Sequence, residues 1–269
     1  MLSLFQIEER LQQHAEYFKK VEQFIQSNDI ELTYPIYLKA TNEIAEKLSN
    51  LLKGLMAVGK ESNLYCCYVI YRTLLEHFYK SFFLMVNLVD DTSEKASEHY
   101  DTHYFISEFL AEELGYLDLE DLQNEAEKRT DFVQYIQNKF ETLKEFDKAN
   151  QRELSEAIKK FNLKEIVKTL HKKFSENKES KWIADFFAEV LPEYSQLSTY
   201  IHGGPYGTKL IRKFDNSDKL ESEILRVAGV GFSCFGVAKE NLLFAYALSN
   251  QELTQFQVEF QKIRNPIPY

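Results

Sequence analysis

The sequence predicts an all-α protein, a bundle of four or five long core helices carrying a charged helical insertion. Three observations support this. Apolar residues recur at helical spacing over several long stretches. Only nine Gly and five Pro occur in 269 residues, too few for strands joined by tight turns. Hydrophobic residues make up 44% and charged residues 28%, a balance that supports a real core, and 21 Phe with 16 Tyr imply much ring packing in it.

Residues 3–27 carry an amphipathic stripe, Leu4, Ile7, Leu11, Phe18, Val21 and Phe24, which Asn28-Asp29 ends. A second helix starts near Thr33-Tyr34-Pro35, with Pro in its first turn, and runs to Val58 before Gly59. The third spans 61–89 and is apolar nearly all round, as expected of a helix at the centre of a bundle. Asp90-Asp91-Thr92-Ser93 supplies a break and a cap. From 93 to 180 charge rises and the apolar groups shorten. Helices are expected at 94–114, 119–149, 151–160 and 163–174, as a peripheral insertion or lid within a single domain spanning 1–269. The core pattern returns from Trp182, read as a core anchor, to His202. After a loop from Gly203 to Asp218, a last helix covers 219–249, where Gly229, Gly231 and Gly236 imply close approach by a neighbour.

A net charge of −10 disfavours broad, non-specific nucleic-acid binding. Cys66, Cys67 and Cys234 lie in apolar helical stretches without CxxC spacing, which points to buried thiols in a reducing, cytoplasmic setting. The N-terminus lacks the pattern of a signal peptide. Charges interrupt both of the most apolar stretches, so no membrane association is expected.

Two polar stripes break the apolar pattern. Tyr68, Arg72 and Glu76 share one face of the third helix, and Tyr194, Ser198 and His202 share a face of a later one. A charge on a buried helix is normally paired or functional. Arg72 and Glu76 therefore read either as a structural pair fixing helix register or as an anion site, with Glu76 holding the guanidinium fork for a phosphate. His202 reads either as a helix end before Gly203-Gly204-Pro205 or as a proton donor and acceptor, with Lys209, Arg212 and Lys213 forming a basic loop beside it. His99 and His103 could form half a metal site but suit a solvated acidic helix, and His14 and His171 look like surface residues. No Gly-rich phosphate loop, Gly-x-Ser-x-Gly elbow or His-Glu-x-x-His occurs, so no cofactor or metal is expected.

Arg72 to His77 also reads Arg-x-x-x-x-His, which resembles the Arg-x4–6-His motif of the HEPN (higher eukaryotes and prokaryotes nucleotide-binding) superfamily. Arg72-x3-Glu76 combined with Leu197-Ser198-x3-His202-Gly203 is similar to bacterial helical families grouped near it. The resemblance implies a helical bundle acting as a homodimer on RNA or a nucleotide, as a metal-independent ribonuclease in bacterial defence that attacks through the 2′-hydroxyl. Arg72 would stabilise phosphate charge and His77 would shuttle the proton. Tyr68, Tyr194, Ser198, Lys209 and Arg212 are the candidate ligand-binding residues around Arg72, Glu76, His77 and His202. The competing expectation is a non-enzymatic helical interaction protein.

Overall fold

A computed structural model describes residues 2–123, 130–176, 178–202, 207, 209, 211–214 and 216–264. The fold is all-α, with no β-strand among the described residues. α1 is Leu4–Ser27, opened by a capping box in which Ser3 accepts from the Gln6 backbone and the Gln6 side chain accepts from the Ser3 backbone. α2 is Pro35–Lys60, with Pro at its start and the Glu94 carboxylate accepting from the Tyr37 N–H at 2.6 Å. α3 is Leu64–Asp91; Asn63 caps it, and Thr92 in the left-handed region ends it.

The charged segment contains α4 (Lys95–Glu98), a π-helical turn at His99–Tyr104, α5 (Phe105–Gln123), α6 (Phe132–Lys139) and α7 (Lys148–Lys160). α8 is Leu163–Ser175 and α9 is Lys181–Ile201. α10, Ser217–Ser249, is the longest of the described helices, and α11 is Thr254–Arg264.

The core forms where α2, α3 and α10 pack on one another. Leu48, Leu52, Leu74, Val227 and Leu242 are fully buried there. Gly231 permits the close approach of α10: a Cβ on it would stand 3.0 Å from Leu74 Cδ1 and 3.3 Å from Leu52 Cδ1. Gly229 faces open space instead. α10 is the one described helix long and apolar enough to cross a membrane, but 67% of its most apolar window is buried inside the protein.

The charged segment divides in two. Phe161, Leu163, Ile166 and Leu170 belong to the main core, so α8 is part of the bundle. Leu110, Ile136 and Phe146 build a small separate cluster from α5 to the start of α7. That cluster explains why 119–149 is not one helix. Phe140 is extended and packs on Phe109 at 5.2 Å, so the chain folds back through a 3-10 turn at Glu141–Leu143. Gly115, where a break was expected, lies within α5.

Three further expectations are corrected. Trp182 is no core anchor; it is 68% exposed at the start of α9. His14 is fully buried, with its ring 5.3 Å from Phe232 and 4.8 Å from Phe260. It sits in the core because α11, which the periodicity did not announce, brings Phe260 over α1. Gly59 does not stop α2, because it lies within the helix close under Ile224.

Candidate functional site

The two polar stripes do meet, through α3 and α9. Arg72 Nε donates to Ser198 Oγ at 3.2 Å, and Nη2 donates to the Tyr194 hydroxyl at 2.6 Å. The same Nη2 lies 3.1 Å from Glu76 Oε1. Tyr194 then donates its own proton to Glu76, and Ser198 donates to the Tyr194 carbonyl at 2.9 Å. Each hydroxyl accepts from Arg72 and passes its proton onward, so the directions are consistent around the cluster. The Tyr194 ring also lies under the guanidinium, 4.6 Å from ring centroid to Cζ. Burial first, and then the Glu76 carboxylate, push the Tyr194 hydroxyl up to about 12, so it remains a donor at neutral pH.

A second cluster, which the sequence reading did not single out, ties α10 to the same two helices. Tyr68 donates to Glu223 Oε1 at 2.6 Å. Arg226 forks onto both oxygens of Glu223 at 2.8 Å and reaches Glu193 on α9, also at 2.8 Å. Tyr68 therefore serves this cluster and packs on Tyr200, with ring centroids 4.7 Å apart. Glu223-x2-Arg226 within an apolar helix was the signal available for it, by the logic that picked out Arg72 and Glu76.

The other candidates lie apart. Residues five apart on a helix diverge by about 140°, so Arg72 turns to α9 while His77 faces elsewhere. His77 Nδ1 is buried without a hydrogen-bond partner. Burial, then Lys80 and Lys47 of α2, lower His77 to about 4, which leaves it neutral at pH 7. His202 caps the C-terminus of α9 with its side chain exposed, one turn past Ser198. Its N–H bonds the Ser198 carbonyl at 3.3 Å, but no described hydrogen bond or ion pair links its imidazole to Arg72. Gly203, Gly204 and Pro205 lie outside the described residues, while Lys209, Arg212 and Lys213 are exposed.

Among the described residues no group of three or more His, Cys, Asp or Glu could hold a metal. His99 and His103 lie ring to ring at 4.8 Å. The three cysteines are free thiols; burial raises Cys67 to about 11 and Cys234 to about 12, so both are protonated and unreactive at neutral pH.

Beside the clusters an open groove of roughly 660 Å³ runs between α9 and α10, with α3 as its floor. It exists because both helices lie on α3 yet scarcely touch each other. Leu75, Phe78, Val190, Val230 and Val237 make it largely apolar, and Arg226 with Glu193 closes one stretch of it.

Fold and site together define an all-α bundle held across helices by arginine–hydroxyl hydrogen bonds and the Arg226–Glu193 ion pair, with an apolar groove left open between two of the clamped helices. No protein-family model, curated protein or solved structure matches the chain.

Proposed function

We propose that this is a non-enzymatic helical interaction protein in which the Arg72–Glu76 pair is structural. The commitment of Arg72 to Glu76, Tyr194 and Ser198 carries this reading. Its Nε and Nη2 are already engaged by Ser198, Tyr194 and Glu76, and the two hydroxyl contacts hold α9 to α3. His77 lies off the Arg72 face of α3 and is held neutral by burial, so it supplies no cation for a phosphate at pH 7.

Replacing Arg72 tests this. Arg72→Ala leaves the Glu76 carboxylate and two hydroxyls without their common donor, at a cost of about 2 kcal/mol. In a chain of this size that lowers Tm by about 4–8 °C. His202→Ala, at an exposed helix end, leaves Tm within about 1 °C.

A second reading rests on the partial exposure of the pair. The Arg72 and Glu76 side chains remain 23% and 26% exposed, and Lys209 and Arg212 are exposed beyond the end of α9. On it, a phosphate-bearing ligand, RNA or a nucleotide, displaces Glu76 from Arg72, and the protein acts as a HEPN-like homodimeric ribonuclease. A fluorescent single-stranded RNA that binds or is cleaved by the wild type, but not by Arg72→Ala or His202→Ala at unchanged Tm, would establish this reading and remove the first.

A further inference from the structure

We infer that the groove between α9 and α10 receives a basic amphipathic helix from a different protein, seated over about two turns. The inference rests on the interaction-protein reading and names the partner of that surface.

The lining follows helical spacing on all three sides. Tyr71, Leu75 and Phe78 recur along α3, Phe186, Val190 and Glu193 along α9, and Leu225, Gly229 and Val237 along α10. The trough therefore runs along the helices and does not close over a small ligand. On α10 the lining extends from 225 to 237, and the stretch left open beyond the Arg226–Glu193 pair, 229 to 237, is about 12 Å at 1.5 Å per residue, the length of a two-turn helix. Two helices side by side on a third leave the place where a fourth would complete the packing, and an amphipathic helix laid in such a trough is a recurring recognition mode.

The surface of the trough suits close packing. A Cβ on Gly229 would meet nothing within 4 Å, and Ser233, one turn on, is exposed, so an approaching backbone can come near α10 here. Phe186, which lines the groove, is 60% exposed. Exposed rings at the edge of an apolar groove are the side chains that dominate binding energy once covered.

Charge selects the occupant. Asp185 and Glu189 are both exposed, one turn apart on α9, beside the apolar lining. The chain as a whole carries a net charge of −10. A second copy would bring acid against acid, whereas a helix with Lys or Arg flanking its apolar stripe meets this rim favourably.

The probe is a fluorescein-labelled Leu/Lys peptide of about 15 residues in amphipathic helical order, long enough to hold a helix, read by fluorescence anisotropy. It should bind the full-length protein, and a scrambled peptide of the same composition should bind about tenfold more weakly or worse. Phe186→Ala and Glu189→Lys, both exposed and expected to fold normally, should each weaken binding about tenfold. Gly229→Phe, which fills the trough, should do the same, with circular dichroism confirming the fold.

Equal binding of the scrambled peptide would reduce the effect to bulk charge attraction and overturn the inference. Unchanged affinity in Phe186→Ala and Gly229→Phe would overturn it as well. Sedimentation showing a dimer that Phe186→Ala dissociates would give the groove to a second copy of this chain. All three results leave the interaction-protein reading standing, whereas RNA binding abolished by Arg72→Ala at unchanged Tm removes that reading itself.

Discussion

At the scale of single residues, titration separates the groups that hold the fold from those that tax it. His77 is held neutral by burial, with Lys80 and Lys47 adding to the effect, and its value falls to about 4 from an ordinary 6.5. Between these values the unfolded chain binds a proton that the folded protein refuses. Stability is therefore complete above pH 6.5 and is lost as pH falls toward 4, by up to about 3 kcal/mol. His77→Leu should flatten this dependence, seen as a smaller difference between urea midpoints at pH 7 and pH 5 than in the wild type. The residue identities in this region were legible from the sequence: a guanidinium and a carboxylate one turn apart in an apolar helix read either as a structural pair or as an anion site. Their partner choice was not. Tyr194 and Ser198 hold Arg72 because α9 crosses α3 at that height, which neither helix encodes alone.

At the scale of elements, α10 shows how one residue type does two jobs. Gly231 lies under Leu74 and Leu52, whereas Gly229 looks into open space. Gly229→Ala should therefore gain helix propensity, about 1 kcal/mol, and raise Tm. Gly231→Ala gains the same propensity but forces two leucine side chains aside, at about 1–3 kcal/mol, so it should be neutral or destabilising. Thermal melts of the pair decide it, and Gly231→Ala raising Tm as much as Gly229→Ala would contradict this account of the packing. From sequence the three glycines of this helix looked alike, because spacing does not reveal which face a neighbour covers. The helices with clear stripes and caps, α1, α2, α3 and α10, were read nearly to their ends. α5 and α6 were not, since Phe109, Phe140 and Phe146 pack across sequence distances that no local period carries.

At the scale of the whole molecule, burial is uneven. The main core draws on α1, α2, α3, α8, α9, α10 and α11, while the cluster of Leu110, Ile136 and Phe146 stands apart. Few buried apolar contacts mean a low local opening energy. Amide hydrogen exchange should show α5 and α6 opening well before α2, α3 and α10. Ile136→Asp should abolish protection in α5 and α6 and leave that of α2 and α3 intact. Simultaneous loss of protection everywhere would make the molecule one cooperative unit.

The sequence by itself determined that this chain is helical, that its third helix lies at the centre and that Arg72 and Glu76 share one face of it, because helical period and capping residues act locally. The tertiary structure alone decided that Arg72 is spent on Tyr194 and Ser198, that His77 turns away from it, that His14 lies in the core and that α9 and α10 leave a groove between them. Those outcomes depend on which helix faces cross and at what height, and burial settles that only when the whole chain packs.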